Sequence, residues 1–593
     1  MWEQYWTGRG SPWEFDAGPK PAGPWAKLFA ETPNYRGLGV AWSGNEEFRW
    51  HFGPMFYRGR LDEGDAKVLI IGQEGAQDES LSHRSFTGGT GGRMQNVLNH
   101  LGVTRSYQFA NTFVYPIFGQ YDAGLRPLAQ DPRSPIAKHR QALLDLAATH
   151  HDLRLVIAVG LAAKESVASW VKAHGGTANP DKLHEANGSV IKPGLRLIGV
   201  LHPGGATAGG AGPIIADFKA KLARIEGWIA ADAGWLRADA DGVRLPASDY
   251  KYRNAPIPFR DFPFGVAWRL GYGTTTSNRR DGQTAIQLFS DDGKYNNEGA
   301  TVSYPTLAAG TNDGYDEDTG DLPYEPPKHA FGDFDRGPTA AFAKLLQGGK
   351  TGFPWPDFGA LGLPGHPSFG FGPIFRGRLS SPSILVLADQ ASQDDLFLAR
   401  ALTGEAGQRL QGFLQAAGID HRYAVLRTLP VDSMSATAAT VKNAVDDPKV
   451  RALLREVVKE AGPQVVLAIG AQATRIVGDI VPGAVPKVTM QAWGSGALAD
   501  WRRALHDLST HTYTKDRAAT ATWDGGRLQI PRIDLPYGTL RWEGSSGDRA
   551  AQAKRSGKPS PDYFKIEMPD WAAQLKPTLL TAAEQHAIDQ LKS

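Results

Sequence analysis

The chain has 593 residues, more than the roughly 250–300 that one hydrophobic core serves, so more than one domain is expected. With 41% hydrophobic and 21% charged residues it has the make-up of ordinary globular protein; the net charge of +2 is too small to announce a nucleic-acid partner, so any such face must be local. The absence of cysteine excludes disulfides, thiolate-ligated zinc and cysteine-held iron–sulfur clusters.

The opening Met1-Trp2-Glu3-Gln4-Tyr5-Trp6 lacks a basic start and an apolar run, so no signal peptide is expected. No apolar run reaches about 18 residues, so no membrane span and a cytoplasmic location are the expectation. Residues 1–20 are aromatic and turn-rich and carry no clear element. The next signal is Val68-Leu69-Ile70-Ile71-Gly72-Gln73-Glu74-Gly75-Ala76-Gln77-Asp78: four apolar residues followed at once by glycine and polar groups predict a strand buried on both faces that ends in a functional turn. Ser85-Phe86-Thr87-Gly88-Gly89-Thr90-Gly91-Gly92 follows; then Met94, Val97, Leu98 and Leu101 share one helical face, and Gly102 supplies a stop. A strand is predicted over Phe109–Val114, a helix over Ile136–His150, a strand over Leu155–Val159, a helix over Leu161–Ala173, and a strand over Leu195–Leu201 that delivers His202. Such alternation implies a mainly parallel sheet covered by helices. Pro258–Gly265 and Pro531–Gly538 echo each other and run into alternating aromatic residues, which predict short strands or hairpins. The acidic, glycine-containing stretch from Gly310 to Asp318 reads as an exposed linker.

The chain also repeats itself. Phe52-Gly53-Pro54-Met55-Phe56-Tyr57-Arg58-Gly59-Arg60-Leu61 recurs as Phe371-Gly372-Pro373-Ile374-Phe375-Arg376-Gly377-Arg378-Leu379. Val68 to Asp78 aligns with Ile384 to Asp394 at an offset of 316, which also carries Arg84–Gly88 onto Arg400–Gly404 and Asn111-Thr112 onto Arg427-Thr428. Leu155–Gly160 returns as Val465–Gly470. Two copies of one α/β domain are expected: an N-terminal segment over 1–20, the first copy with a β extension over 21–285, a linker over 286–336, and the second copy with its extension over 337–593.

Ligands of open α/β sheets bind beyond the carboxyl ends of the strands. There the Gly72-to-Asp78 turn, the Ser85–Gly92 segment, Ala110-Asn111-Thr112 and Leu201-His202-Pro203-Gly204 resemble, in order and spacing, the uracil-DNA glycosylase superfamily, with its Gly-Gln-Asp-Pro-Tyr or Gly-Glu-Ala-Pro-Gly type turn, base-stacking Phe, base-reading Asn and late His-Pro turn. The resemblance implies two tandem three-layer α/β/α domains with mainly parallel sheets, a DNA partner, single- or double-stranded, and base excision; the sequence shows no metal-ligand cluster, so no cofactor or metal is expected. Glu74 then stands where relatives direct water, although a turn glutamate held by backbone amides is the plainer alternative. Gln73 would help to position the base. His202 would donate to the base oxygen as it becomes anionic, against a purely structural hydrogen bond. Asn111 offers one donor and one acceptor to a pyrimidine edge, suiting uracil turned one way and cytosine the other. Phe86 would stack on the flipped base or simply fill the core. Gly88, Gly89, Gly91 and Gly92 would let DNA phosphate approach ahead of a helix N-terminus, or form a plain glycine loop; Gly204 and Gly205 lie in the loop that would face DNA.

The departures shape the substrate expectation. Gly75-Ala76 stands where the uracil-specific branch has Pro-Tyr, a Tyr that blocks substituents at C5, so Ala76 should admit a base larger than uracil. The loop after His202 holds no large apolar wedge, and Gly119-Gln120-Tyr121-Asp122-Ala123-Gly124 lacks the basic histidine loop of the branch that traps its product covalently. In the second copy Gln390, Leu402, Arg427 and Trp493 stand near the positions of Glu74, Phe86, Asn111 and His202, which predicts an inert copy kept as support or as a DNA-binding face through Arg376, Arg378, Arg400, Arg409 and Arg427. The expected activity is a monofunctional glycosylase flipping a 5-substituted pyrimidine, of which the glucosylated hydroxymethylcytosine of phage DNA is one example in an anti-phage role. The alternatives are repair of uracil or other deaminated bases, and a DNA-binding protein without catalysis.

Overall fold

Val68–Gly72 is buried along its whole length, as its composition requires, and sits in the middle of a five-stranded sheet. The computed structural model describes residues 9–11, 13–45, 47–48, 53–75, 79, 82–117, 121–205, 210–266, 294–297, 300–303, 334–347, 352–363, 375–389, 395, 398–431, 433, 436–520, 522–538 and 579–593. Ala76 and Gln390, both singled out in the sequence, lie outside the described residues.

In the first half, α1 (Pro24–Ala30), α2 (Tyr35–Ser43) and β1 (Arg58–Gly59) precede β2 (Val68–Gly72), α3 (Gly89–His100) and β3 (Tyr107–Asn111). Then come α4 (Arg126–Gln130), α5 (Pro135–His150), β4 (Leu155–Val159), α6 (Leu161–Ala173), β5 (Arg196–Val200) and α7 (Gly212–Ala231). The strand order is β1-β3-β2-β4-β5, parallel throughout except for β1. Side chains alternate across the sheet with period two. Val68, Ile70, Phe109 and Ile157 join Met94 and Leu98 of α3 and Phe218 and Leu222 of α7; Leu69, Ile71, Val156 and Ala158 join Leu143 of α5 and Trp170 of α6. The expected three layers result. β3 ends earlier than its apolar run suggests, because after Asn111 the amides of Thr112 and Phe113 turn onto the carbonyls of Gly72 and Gln73 at 2.8 and 2.9 Å.

A hairpin, β6 (Lys294–Asn297) with β7 (Ala300–Ser303), stands within the stretch expected as linker. The second half runs α8 (Ala340–Gln347), β8 (Phe375–Gly377), β9 (Ile384–Ala388), α9 (Glu405–Ala416), β10 (Tyr423–Arg427), α10 (Ala438–Asp446), α11 (Pro448–Ala461), β11 (Val465–Ile469), α12 (Ala471–Ile480), β12 (Lys487–Met490) and α13 (Ala497–Ser509). Its sheet, β8-β10-β9-β11-β12, has the same order and the same single antiparallel edge as the first. The C-terminal α14 (Ala582–Lys592) returns to the first half, where Ile588 enters the core and Glu584 accepts from the Asn34 amide at 2.9 Å.

The alternating aromatic residues expected as strands or hairpins at the tail of each half, from residue 267 in one and from residue 539 in the other, lie outside the described residues. Phe259–Asp261 and Arg532–Asp534 are single 3-10 turns whose purpose is to deliver an aspartate. Asp261, fully buried, accepts from Arg58 Nη1 and Arg60 Nη2 at 2.8 Å each and from the Tyr107 hydroxyl at 2.7 Å. Asp534 repeats this with Arg376 Nη1 at 3.0 Å and the Tyr423 hydroxyl. Beyond these clamps the tails cross. Phe264, at the end of the first tail, is a core residue of the second half, and Tyr537, at the end of the second, is a core residue of the first. Three of the five arginines expected on a DNA face, Arg376, Arg400 and Arg427, are instead buried, next to Asp534, Asp335 and Asp395.

Removing one member of such a buried pair strands the other charge. Asp261→Ala should therefore cost about 3–5 kcal/mol, read as a fall in unfolding free energy in urea. A loss below about 1 kcal/mol, the range of an exposed ion pair, would contradict the clamp.

Candidate active site

The parallel sheet brings four strand ends to one edge. Gly72 of β2 is in register with Asn111 of β3, and Val159 of β4 with Val200 of β5; the residues that follow are Gln73-Glu74 on one strand, Gly160 on another and His202 on the third. Gly72, Phe86 and Asn111 are in contact: a Cβ on Gly72 would fall 2.4 Å from Phe86 Cζ and 2.6 Å from Asn111 Oδ1. Only glycine fits there. Gly75 is equally constrained, since a Cβ would lie 2.0 Å from Met55 Sδ.

Asn111 is buried. Its amide is best satisfied with the oxygen accepting from the Gly75 amide and the nitrogen donating to the Ala110 carbonyl, both at 3.3 Å; the other orientation brings Nδ2 to Ser85 Oγ at 3.4 Å. Glu74 is half-buried and its Oε2 accepts from Gln73 Nε2 at 3.2 Å. Phe86 has φ +58°, a left-handed value rare for a bulky residue, and its ring is wedged between Gly72 and Phe109, whose centroid is 5.0 Å away.

The turn holding Phe86 is built by residues that sequence reading did not single out. The carboxylate of Glu79 accepts from the amides of Thr87 and Gly88 at 2.8 and 3.1 Å, so a protein anion already occupies the approach to α3. Gly88, Gly89, Gly91 and Gly92 are all buried, and Gly91 and Gly92 have packing reasons of their own. A Cβ on Gly91 would fall 1.7 Å from the Phe86 carbonyl oxygen, and one on Gly92 would meet Asn254 at 3.3 Å.

His202 is exposed, whereas Pro203 after it is buried. Its Nδ1 accepts from the Gly204 amide at 3.1 Å. That bond defines the neutral tautomer: the proton must sit on Nε2, which is left as a donor. Desolvation by the surrounding protein and then the cation of Arg93 hold the imidazole below its ordinary pKa and so favour this form. Arg93 donates to the Pro203 carbonyl at 3.1 Å and lies over the Tyr252 ring, whose hydroxyl also reaches that carbonyl at 3.3 Å. Gly204 and Gly205 are exposed beside the ring. Among the described residues, no group of three or more His, Asp or Glu stands close enough to hold a metal ion, and no helix is long and apolar enough to cross a membrane.

The matching edge of the second sheet is filled differently. Leu402 shares the left-handed backbone of Phe86, at φ +51°. Buried Arg427, in place of Asn111, donates to Ser433 Oγ at 3.0 Å, with Nη1 4.0 Å from Asp395 Oδ2. Asp389 turns onto the first amides of α12, Gln472 and Ala473. Trp493 lies against Trp501 and under Arg409.

Residues 59–212 match the model of the uracil DNA glycosylase superfamily. The span runs from β1 to the first residue of α7 and contains Gln73, Glu74, Phe86, Asn111 and His202. No curated protein matches the chain.

The imidazole geometry is open to direct measurement. In an NMR titration His202 should protonate at a pH below the ordinary imidazole value of about 6.5, because burial and then the Arg93 cation oppose a charge on the ring. The neutral donor then predominates at and above that value and is lost as pH falls through the lowered pKa. A His202 pKa above about 6.5 would contradict the arrangement.

Proposed function

We propose, from the superfamily match over residues 59–212, that the first half of the chain is a monofunctional DNA glycosylase and the second half a degenerate tandem duplicate without chemistry of its own. The observation that carries this reading is the convergence at one sheet edge of a carboxylate (Glu74), an amide reader and an aromatic ring in contact through Gly72 (Asn111 and Phe86), and an imidazole with its Nε2 proton free to donate (His202).

Each group meets one demand of the reaction. A flipped pyrimidine would lie against Phe86 with its edge read by Asn111. As the C1′–N bond breaks, its electron pair passes to the base, and His202 Nε2–H donates to the oxygen on which that charge accumulates. Glu74 faces the opposite charge, steadying the oxocarbenium-like sugar and orienting the water whose oxygen bonds to C1′; the products are the free base and an abasic strand. Gln73 supports Glu74 through their hydrogen bond, and exposed Gly204 and Gly205 admit the DNA backbone close to His202. In the second half Arg427 replaces the reader and Leu402 the ring, which supports its assignment as inert.

Ala76, where the uracil-specific pattern places a blocking tyrosine, supports a 5-substituted pyrimidine as substrate, with the glucosylated hydroxymethylcytosine of phage DNA at the bulky end of that class. Uracil repair is the alternative within the same chemistry.

Single-turnover excision from oligonucleotides carrying uracil, mismatched thymine or 5-modified cytosines tests this reading. Glu74→Gln and His202→Ala should each slow excision by about 10²–10³-fold, with DNA binding retained and Trp493→Ala unaffected; near-normal rates in both would end the assignment. Ala76→Tyr should slow excision of bulky bases by about ten- to a hundredfold and leave uracil nearly untouched. An unchanged preference would remove Ala76 as the gate and favour uracil repair.

A further inference from the structure

Two residues in the turn that carries Phe86 have left-handed backbone, His83 at φ +57° and Phe86 at φ +58°. L-residues hold such conformations only where their surroundings enforce them. Glu79 pins the turn's far end through Thr87 and Gly88, and Ser85 anchors its middle, its amide on the Tyr57 carbonyl and its hydroxyl on that of Met55. The Ser82 and Thr87 hydroxyls close the turn on itself at 2.6 Å, and a further anchor comes from the second half. Arg84, fully buried, donates through Nη1 to the Tyr537 carbonyl at 2.9 Å and the His83 carbonyl at 2.8 Å, and through Nε to Asp16 at 2.7 Å, with its guanidinium over the Tyr57 ring. The Tyr537 ring is buried in the first half's core near Phe29, Phe56 and Tyr57. Gly538, at φ +93°, runs so close that a Cβ would lie 3.3 Å from His83 Cβ.

We propose that the second half is the positioning element of the first half's site: Tyr537–Gly538 fixes the Ser82–Gly88 turn through Arg84, and so places Phe86 against Gly72 and Asn111. This rests on the reading of that contact as the base pocket. The exchange is reciprocal, since Arg400 donates to the Phe264 carbonyl at 2.9 Å and to Asp335 at 2.7 Å, and holds a turn with Ala399 and Leu402 at φ +53° and +51°. Only the first turn carries the aromatic ring, so only Tyr537 has a consequence for the site. An inert half is retained on this account because the active half is incomplete without it.

The reciprocity supplies its own control. In the full chain, Tyr537→Ala and Phe264→Ala each remove one crossed aromatic ring. Hydrogen–deuterium exchange followed by mass spectrometry should show Tyr537→Ala speeding exchange over residues 82–88 by about tenfold or more, with 398–404 unchanged, and Phe264→Ala doing the converse. Excision at saturating DNA should fall about ten- to a hundredfold in Tyr537→Ala, because without its buried ring the segment no longer holds the Tyr537 carbonyl on Arg84, a charged buried hydrogen bond, with KM little altered, and should hold within about twofold in Phe264→Ala. Arg84→Lys keeps the charge near Asp16 but loses the fork, and should reproduce the Tyr537→Ala signature; the double variant should be no slower than the slower single one. Exchange at 82–88 unchanged in Tyr537→Ala and Arg84→Lys, or both turns loosened alike by either aromatic substitution, would overturn the proposal. If Tyr537→Ala does not fold, Arg84→Lys alone decides. Should exchange respond as expected while the wild-type chain excises no base, the positioning role stands and the glycosylase reading fails.

Discussion

The architecture depends on buried arginines that find their carboxylates in segments distant along the chain. Arg58 and Arg376 lie on the edge strands β1 and β8 and are matched by Asp261 and Asp534, delivered by 3-10 turns far downstream. Arg84 and Arg400 stand in the site turns and are matched by Asp16 and Asp335, which lie ahead of each sheet. A guanidinium taken out of water is tolerated only with its charge paired, so these pairs dictate where the irregular segments go. The tails are thereby drawn across the boundary between the halves, where Tyr537 and Phe264 finish each other's cores.

The two turns share one backbone while differing in side chains. Phe86 and Leu402 have nearly the same φ, and Gly91 and Gly407 meet the carbonyl oxygens of Phe86 and Leu402 at hypothetical Cβ distances of 1.7 and 1.6 Å. Glu79 and Asp395 cap the same amide, that of Thr87 in one half and Thr403 in the other. With the scaffold so alike, the difference between the halves reduces to side chains at the strand ends. Asn111 leaves a small amide beside Gly72, whereas Arg427 brings a buried cation to the matching place with Asp395 nearby.

Much of this was legible in the chain. The run Val68–Gly72 and the α6 boundaries at Leu161 and Ala173 follow from apolar periodicity and its punctuation, and the constant offset of 316 announced two sheets of one order. That offset extends to Glu79 and Asp395 and to Arg93 and Arg409, so the supports of the site were also within reach. The crossed tails were not, because a hydrogen bond between Arg84 and Tyr537 leaves no periodic trace in either segment. For the same reason Arg376, Arg400 and Arg427 resembled a surface until their carboxylates were found; of the five arginines expected on a DNA face, Arg378 is exposed and Arg409 half-buried. The Pro258–Gly265 and Pro531–Gly538 segments echo each other in sequence, and each folds into a tight turn that aims one aspartate.

The most direct test of the central claim is a crystal structure of the full chain with a short single-stranded oligonucleotide whose target pyrimidine carries a 2′-fluorine, which resists cleavage by destabilising a cationic sugar. The account requires the base at the edge of the first sheet, with its ring on Phe86, its edge hydrogen-bonded to Asn111, an oxygen in reach of His202 Nε2, and Glu74 on the sugar side. A nucleotide bound at the edge of the second sheet beside Arg427, or one whose base remains stacked in the strand away from Phe86, would contradict it.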